Sequence, residues 1–198
     1  MHRFDSITLA SSSPRRRELL HQIGVDHDVQ AADIDERQQD GEDPAAYVTR
    51  LASQKAQAVW ARNATRPVLA ADTAVVLDGQ LYAKPADQAE GLAMLRALSG
   101  KTHQVLTAIA LRSTEGLAVA VSASDVSFRD LAPDEQMRYW ASGEPLGKAG
   151  GYAIQGLAAC FITRLVGSYS GVMGLPLAET AQLLTTAGVR LWHVGAVQ

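Results

Sequence analysis

The chain has 198 residues, of which 47% are hydrophobic and 20% charged, and this is enough apolar material to bury a substantial core. Its formal net charge of −3 at pH 7 gives no general basic field for duplex nucleic acid, so a polyanion could bind only at a local cluster of cations. No apolar run approaches the roughly 20 residues that a bilayer requires, and no signal peptide is recognisable near Met1. We therefore expect a cytoplasmic protein that binds a small charged molecule, with neither nucleic acid nor a membrane as its partner.

Patterns typical of strands and of helices alternate along the chain, without a low-complexity linker or an internal repeat. Apolar and β-branched runs predict strands at 6–10, 25–30, 67–77, 80–85, 103–111, 117–128 and 159–165. Helical patterns, several of them opened by a proline, predict helices at 14–23, 44–62, 86–100, after 133 and at 175–188, with a loop at 166–174. The dipeptide Asp78-Gly79 is a hairpin signal between two of the strands. Together these elements predict an α/β fold with a mixed sheet, as one domain over residues 1–198 or as two small lobes that share the sheet.

Three consecutive arginines follow the sequence Ser-Ser-Ser-Pro at the start of the first predicted helix. Ser13 and Pro14 are typical of a helix start, because a serine oxygen can cap free N–H groups and proline has a suitable φ. Cations in the first turn oppose the helix dipole and cost about 0.3–1 kcal/mol each when exposed. A bound phosphate would offset that cost, since serine hydroxyls, free N–H groups and guanidinium groups converge there. The alternative is a solvated basic turn with no ligand.

Helical geometry separates the three arginines. At about 100° per residue, the apolar stripe around Leu19 and Ile23 contains Arg16 almost on its axis. Arg15 and Arg17 lie to either side of that axis. An inward arginine would be costly without a partner. The geometry therefore predicts Arg16 as a ligand for an anion and Arg17 as solvated.

One carboxylate, Asp72, interrupts the otherwise apolar strand VLAADTAVVL. A buried carboxylate is costly unless it is hydrogen-bonded, paired or metal-bound, so Asp72 belongs either to a structural network or to a functional site. We favour the site, because Thr73 adds a hydroxyl and Lys84 returns nearby on the partner strand. A strict two-residue hairpin turn would place Lys84 opposite Thr73, on the other face from Asp72, unless a bulge or the exit at Pro85 redirects it.

The acidic segment 32–43 offers a second carboxylate, and the residues alone leave Asp35 and Glu36 as equal candidates. Lys55 lies in the middle of a predicted helix and is interpreted as an exposed surface lysine. The one cysteine, Cys160, has apolar neighbours, which predict a packed core thiol rather than a nucleophile.

The glycine-rich segment 142–156 brings Lys148, Tyr152 and Gln155 together. Glycine permits a close approach of the backbone to a ligand, and the glutamine amide can read the edge of a base with one donor and one acceptor. By contrast, the Gly-Lys-Thr at 100–102 is not a phosphate-binding P-loop. The position of that motif's first glycine is Leu95, and a helix leads into a strand rather than the reverse.

The chain contains in order the motifs LASSSPRR, DIDE, LASQKA, LAADTAVVLDG with AKP, LSGKTHQVLTA, DVSFRDL, GEPLGKAGGYAIQG and GSYSGVMGLPLAET. This set resembles the Maf family of nucleoside triphosphate pyrophosphatases over nearly the whole chain, and the AADT and YAIQG forms resemble its branch that acts on dTTP and UTP. The resemblance implies an elongated, two-lobed α/β architecture like that of inosine triphosphate pyrophosphatases, with the nucleotide in a central cleft, often as a homodimer. It implies hydrolysis between the α and β phosphates, with a divalent metal, Mg²⁺ or Mn²⁺, as cofactor.

The resemblance also implies roles for individual residues. Asp72 matches the proton acceptor that activates the attacking water, and Glu36 matches a metal ligand, with Asp72 as base or sharing the metal. The positions tied to substrate choice are Arg15, Thr73 and Gln155. The polar positions around the phosphates are Ser11, Arg16, Lys55 and Lys84. Two alternatives stay open: a pyrophosphatase for another nucleotide, modified or purine, and a nucleotide-binding regulator of cell division and septum formation.

Overall fold

A computed structural model describes residues 4–62 and 65–192. The strands are β1 Ser6–Leu9, β2 Asp26–Val29, β3 Val68–Leu77, β4 Gln80–Tyr82, β5 Thr102–Ser113, β6 Gly116–Phe128 and β7 Ile162–Val166. The helices are α1 Pro14–Gln22, α2 Pro44–Trp60, α3 Gln88–Leu98, α4 Pro133–Ala141, α5 Tyr169–Met173 and α6 Leu177–Thr186, with single 3₁₀ turns at Ala149–Gly151 and Leu157–Phe161. The predicted α/β class with a mixed sheet flanked by helices is confirmed. Within the described ranges, no helix combines the length and the apolar character that crossing a bilayer requires.

The seven strands form one sheet in the order β2-β1-β3-β5-β6-β7, and β4 pairs with β3 outside this path. The short strand β1 runs parallel to β3 and pairs with it only as far as Leu69, whereas β4 begins its antiparallel pairing with β3 at Val75. Between these two residues, the edge of β3 that faces away from β5 has no strand partner in the described part of the chain. This gap leaves the edge of β3 at Asp72 and Thr73 without a neighbouring strand.

The β3–β4 hairpin has the strict two-residue turn that its sequence predicts. Leu77 lies opposite Gln80, and the turn residues Asp78 and Gly79 have φ of 52° and 78°, a left-handed conformation that glycine adopts without strain. Strand β4 ends at Tyr82, so Lys84 lies beyond the ladder. Of the two alternatives for Lys84, the β3–β4 register excludes a bulge. The direction of Lys84 is therefore set where the chain leaves the hairpin.

Helices α1 and α2 differ in how their N-termini are capped. Asp43 caps α2 with its side chain, which accepts hydrogen bonds from the backbone N–H groups of Ala45 and Ala46, and Pro44 occupies the first position. The predicted cap of α1 is wrong in detail, because the Ser13 side chain makes no capping hydrogen bond. Instead the backbone N–H of Ser13 donates to Ser11 Oγ at 3.3 Å.

The core lies on both faces of the sheet. Helix α2 covers one face of β3 and β5 with a stripe that includes Val48, Leu51 and Val59. Helices α1 and α6 cover the opposite face around β1, and an aromatic cluster between α4 and the end of β6 forms a third region. Each fully buried leucine or valine stabilises the fold by about 1.5–3 kcal/mol, so α2 is fixed firmly on the sheet and can position a side chain with precision.

Three predictions for the C-terminal third are wrong. The predicted strand at 159–165 begins only at Ile162, because residues 157–161 form a 3₁₀ turn whose i, i+3 spacing directs Ala158 and Phe161 into the core. Cys160 consequently points outward and is exposed, so it is not a core thiol. The predicted loop 166–174 contains helix α5, which begins where the Ser168 hydroxyl accepts from the backbone N–H of Gly171.

His103 is buried in the aromatic cluster, with 2% of its surface exposed. Its Nε2 lies 2.8 Å from the hydroxyl of Tyr152, and its ring packs edge-on against Phe128. Burial lowers the pKa of His103 to about 4, so the folded protein keeps this imidazole neutral at pH 5.

The free energy of unfolding is therefore expected to fall as the pH drops from 7 to 5. The unfolded chain takes up a proton at His103 near its ordinary pKa of about 6.5, whereas the folded chain does not, and this difference amounts to about 2 kcal/mol at pH 5. Urea denaturation at the two pH values measures the effect. His103→Gln should lose this contribution, and His21→Gln, at an exposed position on α1, should retain it. An unchanged pH dependence in His103→Gln would contradict the assignment.

Candidate active site

A cleft with a volume of about 340 Å³ opens along the unpaired edge of β3. It collects residues from the segment that follows β1, from α1, from the acidic segment before α2, from α2 and β3, and from the glycine-rich segment. All nine residues to which the family resemblance gives a role line it: Ser11, Arg15, Arg16, Glu36, Lys55, Asp72, Thr73, Lys84 and Gln155. The topology thus brings together side chains that are far apart in the sequence, such as Ser11 and Gln155.

The centre of the cleft is an ion-pair triad in which Lys55 and Asp72 are buried and Glu36 is exposed. Lys55 Nζ donates to Asp72 Oδ1 at 2.7 Å and pairs with Glu36 Oε1 at 2.7 Å. Asp72 and Lys55 are each only 8% exposed. The interpretation of Lys55 as a surface lysine is therefore wrong. Its burial could have been recognised from the helical spacing, because Lys55 lies four residues from both Leu51 and Val59, in the buried stripe of α2.

The structure distinguishes the two candidate carboxylates of the acidic segment. Glu36 faces the cleft, and its backbone carbonyl accepts a hydrogen bond from the Tyr47 hydroxyl at 3.0 Å. Asp35 points away and pairs with the exposed Arg37. Burial on its own would raise the pKa of Glu36, but the hydrogen bond and the charge of Lys55 outweigh it, and the pKa lies below its ordinary value. Glu36 is therefore a carboxylate at neutral pH.

Lys84 lies near the second carboxylate oxygen of Glu36, the one that Lys55 does not contact. Its Nζ lies 3.8 Å from Glu36 Oε2, although the side chain is largely exposed. The segment that carries it is held by a hydrogen bond from the backbone N–H of Gly150 to the carbonyl of Ala83. The glycine-rich segment therefore sets the direction in which the chain leaves the hairpin, and this is the redirection that the β4 register requires.

Arg16 points inward, as the helical geometry predicts. Its Nε donates to the carbonyl of Gly174 at 2.8 Å, its Nη1 to Ser11 Oγ at 3.1 Å and its Nη2 to Thr73 Oγ1 at 3.1 Å. Burial lowers the pKa of Arg16 from its ordinary value, and the carboxylate of Asp72 opposes that shift. Arg17 is exposed, so its predicted solvated position is confirmed.

Thr107, which the sequence patterns above do not single out, sets the polarity of Thr73. Thr107 is fully buried on β5 directly opposite Thr73, and it donates its hydroxyl proton to the carbonyl of Gly171 at 2.8 Å. The 3.0 Å contact between the two threonine oxygens is therefore donated by Thr73. Because Thr73 also accepts from Arg16, its oxygen can offer a ligand only an acceptor. A polar residue in the apolar run of β5 is the signal that could have identified Thr107.

The outer wall of the cleft carries two further cations and an amide. Burial lowers the pKa of Arg15 and of Lys148, and the charge of Arg15 adds to the shift at Lys148. Gln155 has an exposed side chain that makes no hydrogen bond to the residues described here. Tyr152 also lines the cleft, but its hydroxyl is committed to His103. The amide of Gln155 is thus available to a ligand.

The composition of this cleft suits a polyanion together with a hard cation. The guanidinium and ammonium groups outnumber the two carboxylates, in a chain whose net charge is −3. No group of three or more His, Cys, Asp or Glu side chains with metal-site geometry occurs in the described ranges. Asp72 and Glu36 nevertheless both lie 2.7 Å from one ammonium nitrogen, so their nearer oxygens are at most twice that distance apart. Oxygen donors of this kind fit Mg²⁺, which uses one or two carboxylates and completes its octahedron with phosphate oxygens and water.

Comparison with known proteins identifies the family. The family model described as Maf-like protein matches residues 6–187. A dTTP/UTP pyrophosphatase of Saccharophagus degradans is 50% identical, over 93% of this chain and 90% of its own length. Proteins of the same name from Bordetella avium and Cupriavidus pinatubonensis are 53% and 51% identical, over 92% and 94% of this chain and 96% and 98% of their own lengths. The chain therefore belongs to the Maf family.

Proposed function

We propose that this protein is a nucleoside triphosphate pyrophosphatase that hydrolyses dTTP and UTP to the nucleoside monophosphate and pyrophosphate. The observation that carries the proposal is the buried carboxylate of Asp72 at the floor of a small cleft whose walls are cationic. The names of the relatives, which are dTTP/UTP pyrophosphatases at about half identity over nearly the whole chain, support the substrates.

The cations of the cleft provide the binding energy for a triphosphate. Such a ligand carries about four negative charges at neutral pH, and attack on phosphorus requires that this charge be neutralised. Arg16 and Lys55 are held at the floor, while Arg15, Lys84 and Lys148 lie nearer the opening. Ser11, whose hydroxyl accepts from Arg16, can donate its own proton to a phosphate oxygen.

Asp72 is the proposed general base. Lys55 holds Oδ1, whereas Oδ2 accepts no hydrogen bond from the described residues and can accept the proton of a water molecule. As that water attacks the α-phosphorus in line, its oxygen forms a bond to phosphorus, its proton passes to Asp72, and the bond to the bridging oxygen of the β-phosphate breaks. Pyrophosphate leaves with the bonding electrons, and the rate gain expected from a positioned base of this kind is about 10²–10⁴-fold.

Glu36 and Asp72 would hold a divalent metal, Mg²⁺ or Mn²⁺, together with oxygens of the triphosphate. When bound, the metal supplies charge neutralisation at the phosphates that side chains alone provide less effectively. Lys55, which lies between the two carboxylates, offsets part of their combined negative charge.

The base-recognising residues fit the imide edge that thymine and uracil share. That edge presents one N–H donor between two carbonyl acceptors. The amide of Gln155 offers one donor and one acceptor, and the oxygen of Thr73 offers only an acceptor. Arg15 contributes a cation at the same opening. These polarities favour dTTP and UTP over CTP, whose base exchanges donor and acceptor at N3 and at the 4-position while its O2 stays an acceptor.

A panel of canonical and modified nucleoside triphosphates, each with Mg²⁺ or Mn²⁺, tests the proposal. We expect monophosphate and pyrophosphate in equal amounts, with dTTP and UTP turned over at the highest kcat/KM. Orthophosphate and diphosphate would instead indicate cleavage at the γ position. Tight binding without any product would favour a nucleotide-binding regulator over an enzyme.

We further propose that the whole chain acts as one two-lobed unit about the cleft, in the cytoplasm, removing unwanted or modified nucleotides. A cleft of about 340 Å³ suits a free nucleotide better than a nucleic acid or a membrane surface. We also propose a homodimer, supported by the exposed apolar side chains of Leu117, Val119 and Val121 on β6. Sedimentation velocity at micromolar concentration would show a monomer if this is wrong.

A further inference from the structure

We infer that Glu144 is a positioning residue that fixes the turn carrying Gln155, so that the glutamine amide meets the nucleobase in one orientation. The inference rests on the proposed function and deepens it by assigning part of the base selectivity to a carboxylate outside the cleft lining. Glu144 lies just after α4, eleven positions before Gln155 in the sequence.

The carboxylate of Glu144 accepts three hydrogen bonds. Its Oε1 accepts from the hydroxyl of Tyr139 at 2.8 Å and from the backbone N–H of Ala158 at 3.1 Å, and its Oε2 accepts from the backbone N–H of Leu157 at 2.8 Å. Leu157 and Ala158 are the first residues of the 3₁₀ turn that follows Gln155. A carboxylate at these N–H groups makes charge-assisted hydrogen bonds, which are about twice as strong as neutral ones.

The same side chains also hold the segment before Gln155. The hydroxyl of Tyr139 accepts a hydrogen bond from the backbone N–H of Ala153 at 3.3 Å. The turn is therefore attached to the Tyr139–Glu144 pair two residues before Gln155 and two residues after it. Gln155 makes no hydrogen bond of its own to the described residues, so this double attachment is what fixes the backbone from which its side chain extends toward the cleft.

Gly156 provides an independent sign that the turn is built around this carboxylate. A Cβ atom at Gly156 would lie 2.1 Å from Glu144 Oε2. The φ of Gly156 is −112°, outside the left-handed region, so the close approach of Glu144 is a constraint separate from any positive φ. Any side chain at this position must push the carboxylate off the N–H groups that it holds.

Glu144 also acts on the cationic wall of the cleft. Burial lowers the pKa of Arg15 and of Lys148, and the negative charge of Glu144 opposes the shift at both groups. One carboxylate therefore orients the amide that reads the base and favours the charged form of two cations beside it. Ile154, next to Gln155, is buried in the core and gives the segment before Gln155 an anchor besides its hydrogen bonds.

Glu144→Gln tests the inference, because the amide keeps the shape but presents a donor to one of the backbone N–H groups. We expect KM for UTP to rise about tenfold, the size of one lost charge-assisted hydrogen bond, while kcat changes by less than about twofold. The preference for UTP over CTP should shrink by a similar factor. Gly156→Ala should change KM and selectivity in the same direction. Glu115→Gln, at an exposed carboxylate in the β5–β6 turn, is the matched control and should leave both unchanged.

The double variant Glu144→Gln with Gln155→Ala separates positioning from a general structural role. If Glu144 acts through Gln155, the double variant should be no worse than Gln155→Ala alone. Additive losses, or a fall in kcat that is equal for every nucleotide and accompanied by a lower unfolding temperature, would overturn the inference. Calorimetric binding of UTP in the presence of EDTA is measured in parallel. Wild-type protein that binds UTP in EDTA but releases no pyrophosphate when Mg²⁺ or Mn²⁺ is supplied would refute the proposed function, while the relative affinities of the variants would still decide the role of Glu144.

Discussion

Replacing Asp72 by asparagine is expected to lower kcat for dTTP by about 10²-fold or more while nucleotide binding is retained. The amide has the size of the carboxylate and keeps an oxygen that can accept from Lys55 Nζ, now 2.7 Å from Asp72 Oδ1, but it cannot take the proton of the attacking water. Removing one negative charge from the floor of the cleft also lowers the repulsion of the triphosphate, so affinity should be equal or higher. Steady-state kinetics and calorimetric titration with dTTP measure the two quantities separately.

Asp78→Asn is the matched control. Asp78 is an exposed aspartate six residues along the same hairpin, its φ of 52° suits asparagine, and it lies outside the cleft lining. The control should keep wild-type kcat and KM. Near-normal turnover of Asp72→Asn would refute the role of Asp72 as base, and a loss of nucleotide binding in a folded variant would instead indicate that its main contribution is to ligand or metal affinity.

The unpaired edge of β3 explains how two neighbouring residues of one strand serve one site. Asp72 and Thr73 point to opposite faces of the sheet, Asp72 toward Lys55 on α2 and Thr73 toward Arg16 on α1. In the interior of a sheet such neighbours could not reach a common ligand. Because β1 stops at Leu9 and β4 starts pairing at Val75, the strand edge between them is open and a ligand can approach both faces at once.

The sequence predicts those site residues whose local pattern is itself unusual. A carboxylate in an apolar strand marks Asp72, and an arginine on the axis of an apolar stripe marks Arg16. Both patterns have a physical cost that a ligand or a partner must offset, so they can be read without the fold. The strands and helices with strong periodicity or clear turn chemistry, such as α2 and the β3–β4 hairpin, are predicted for the same reason.

Residues that depend on long-range placement could not be predicted in this way. Nothing local distinguishes Glu36 from Asp35, because the Tyr47 hydroxyl that holds the carbonyl of Glu36 is eleven residues away. The position of Lys55 in the stripe of α2 already argues against a surface lysine. Its ion pairs could not be predicted, because they depend on Asp72 and Glu36 converging on it in the fold. Cys160 is misread because a 3₁₀ turn and a strand bury different members of the same apolar run.

Alanine substitutions at the three consecutive arginines are expected to have three different outcomes. Arg16→Ala should lower kcat/KM for dTTP by about 10²-fold or more, because it removes a buried cation and leaves the carbonyl of Gly174 without its donor. Arg15→Ala should raise KM by about tenfold and alter the ranking of nucleotides, consistent with its place at the opening of the cleft. Arg17→Ala should leave both constants within about twofold of wild type, because its side chain is exposed on α1. Steady-state kinetics on dTTP, UTP and CTP distinguish these patterns, and equal losses at all three positions would contradict them.

Arg16→Lys separates the charge of Arg16 from its geometry. A guanidinium has five N–H donors, and three protein acceptors use one donor on each nitrogen, so one N–H on Nη1 and one on Nη2 stay available for a phosphate. Lysine keeps the positive charge but cannot reach Gly174, Ser11 and Thr73 while also holding a phosphate oxygen. We therefore expect Arg16→Lys to bind dTTP more tightly than Arg16→Ala but to recover little of the lost kcat, and both variants to unfold at a lower temperature than Arg17→Ala. Full recovery of kcat by lysine would mean that the reaction requires only the positive charge. The hydrogen bonds of the guanidinium, which link α1, β3 and the end of α5, would then contribute to the fold but not to the reaction.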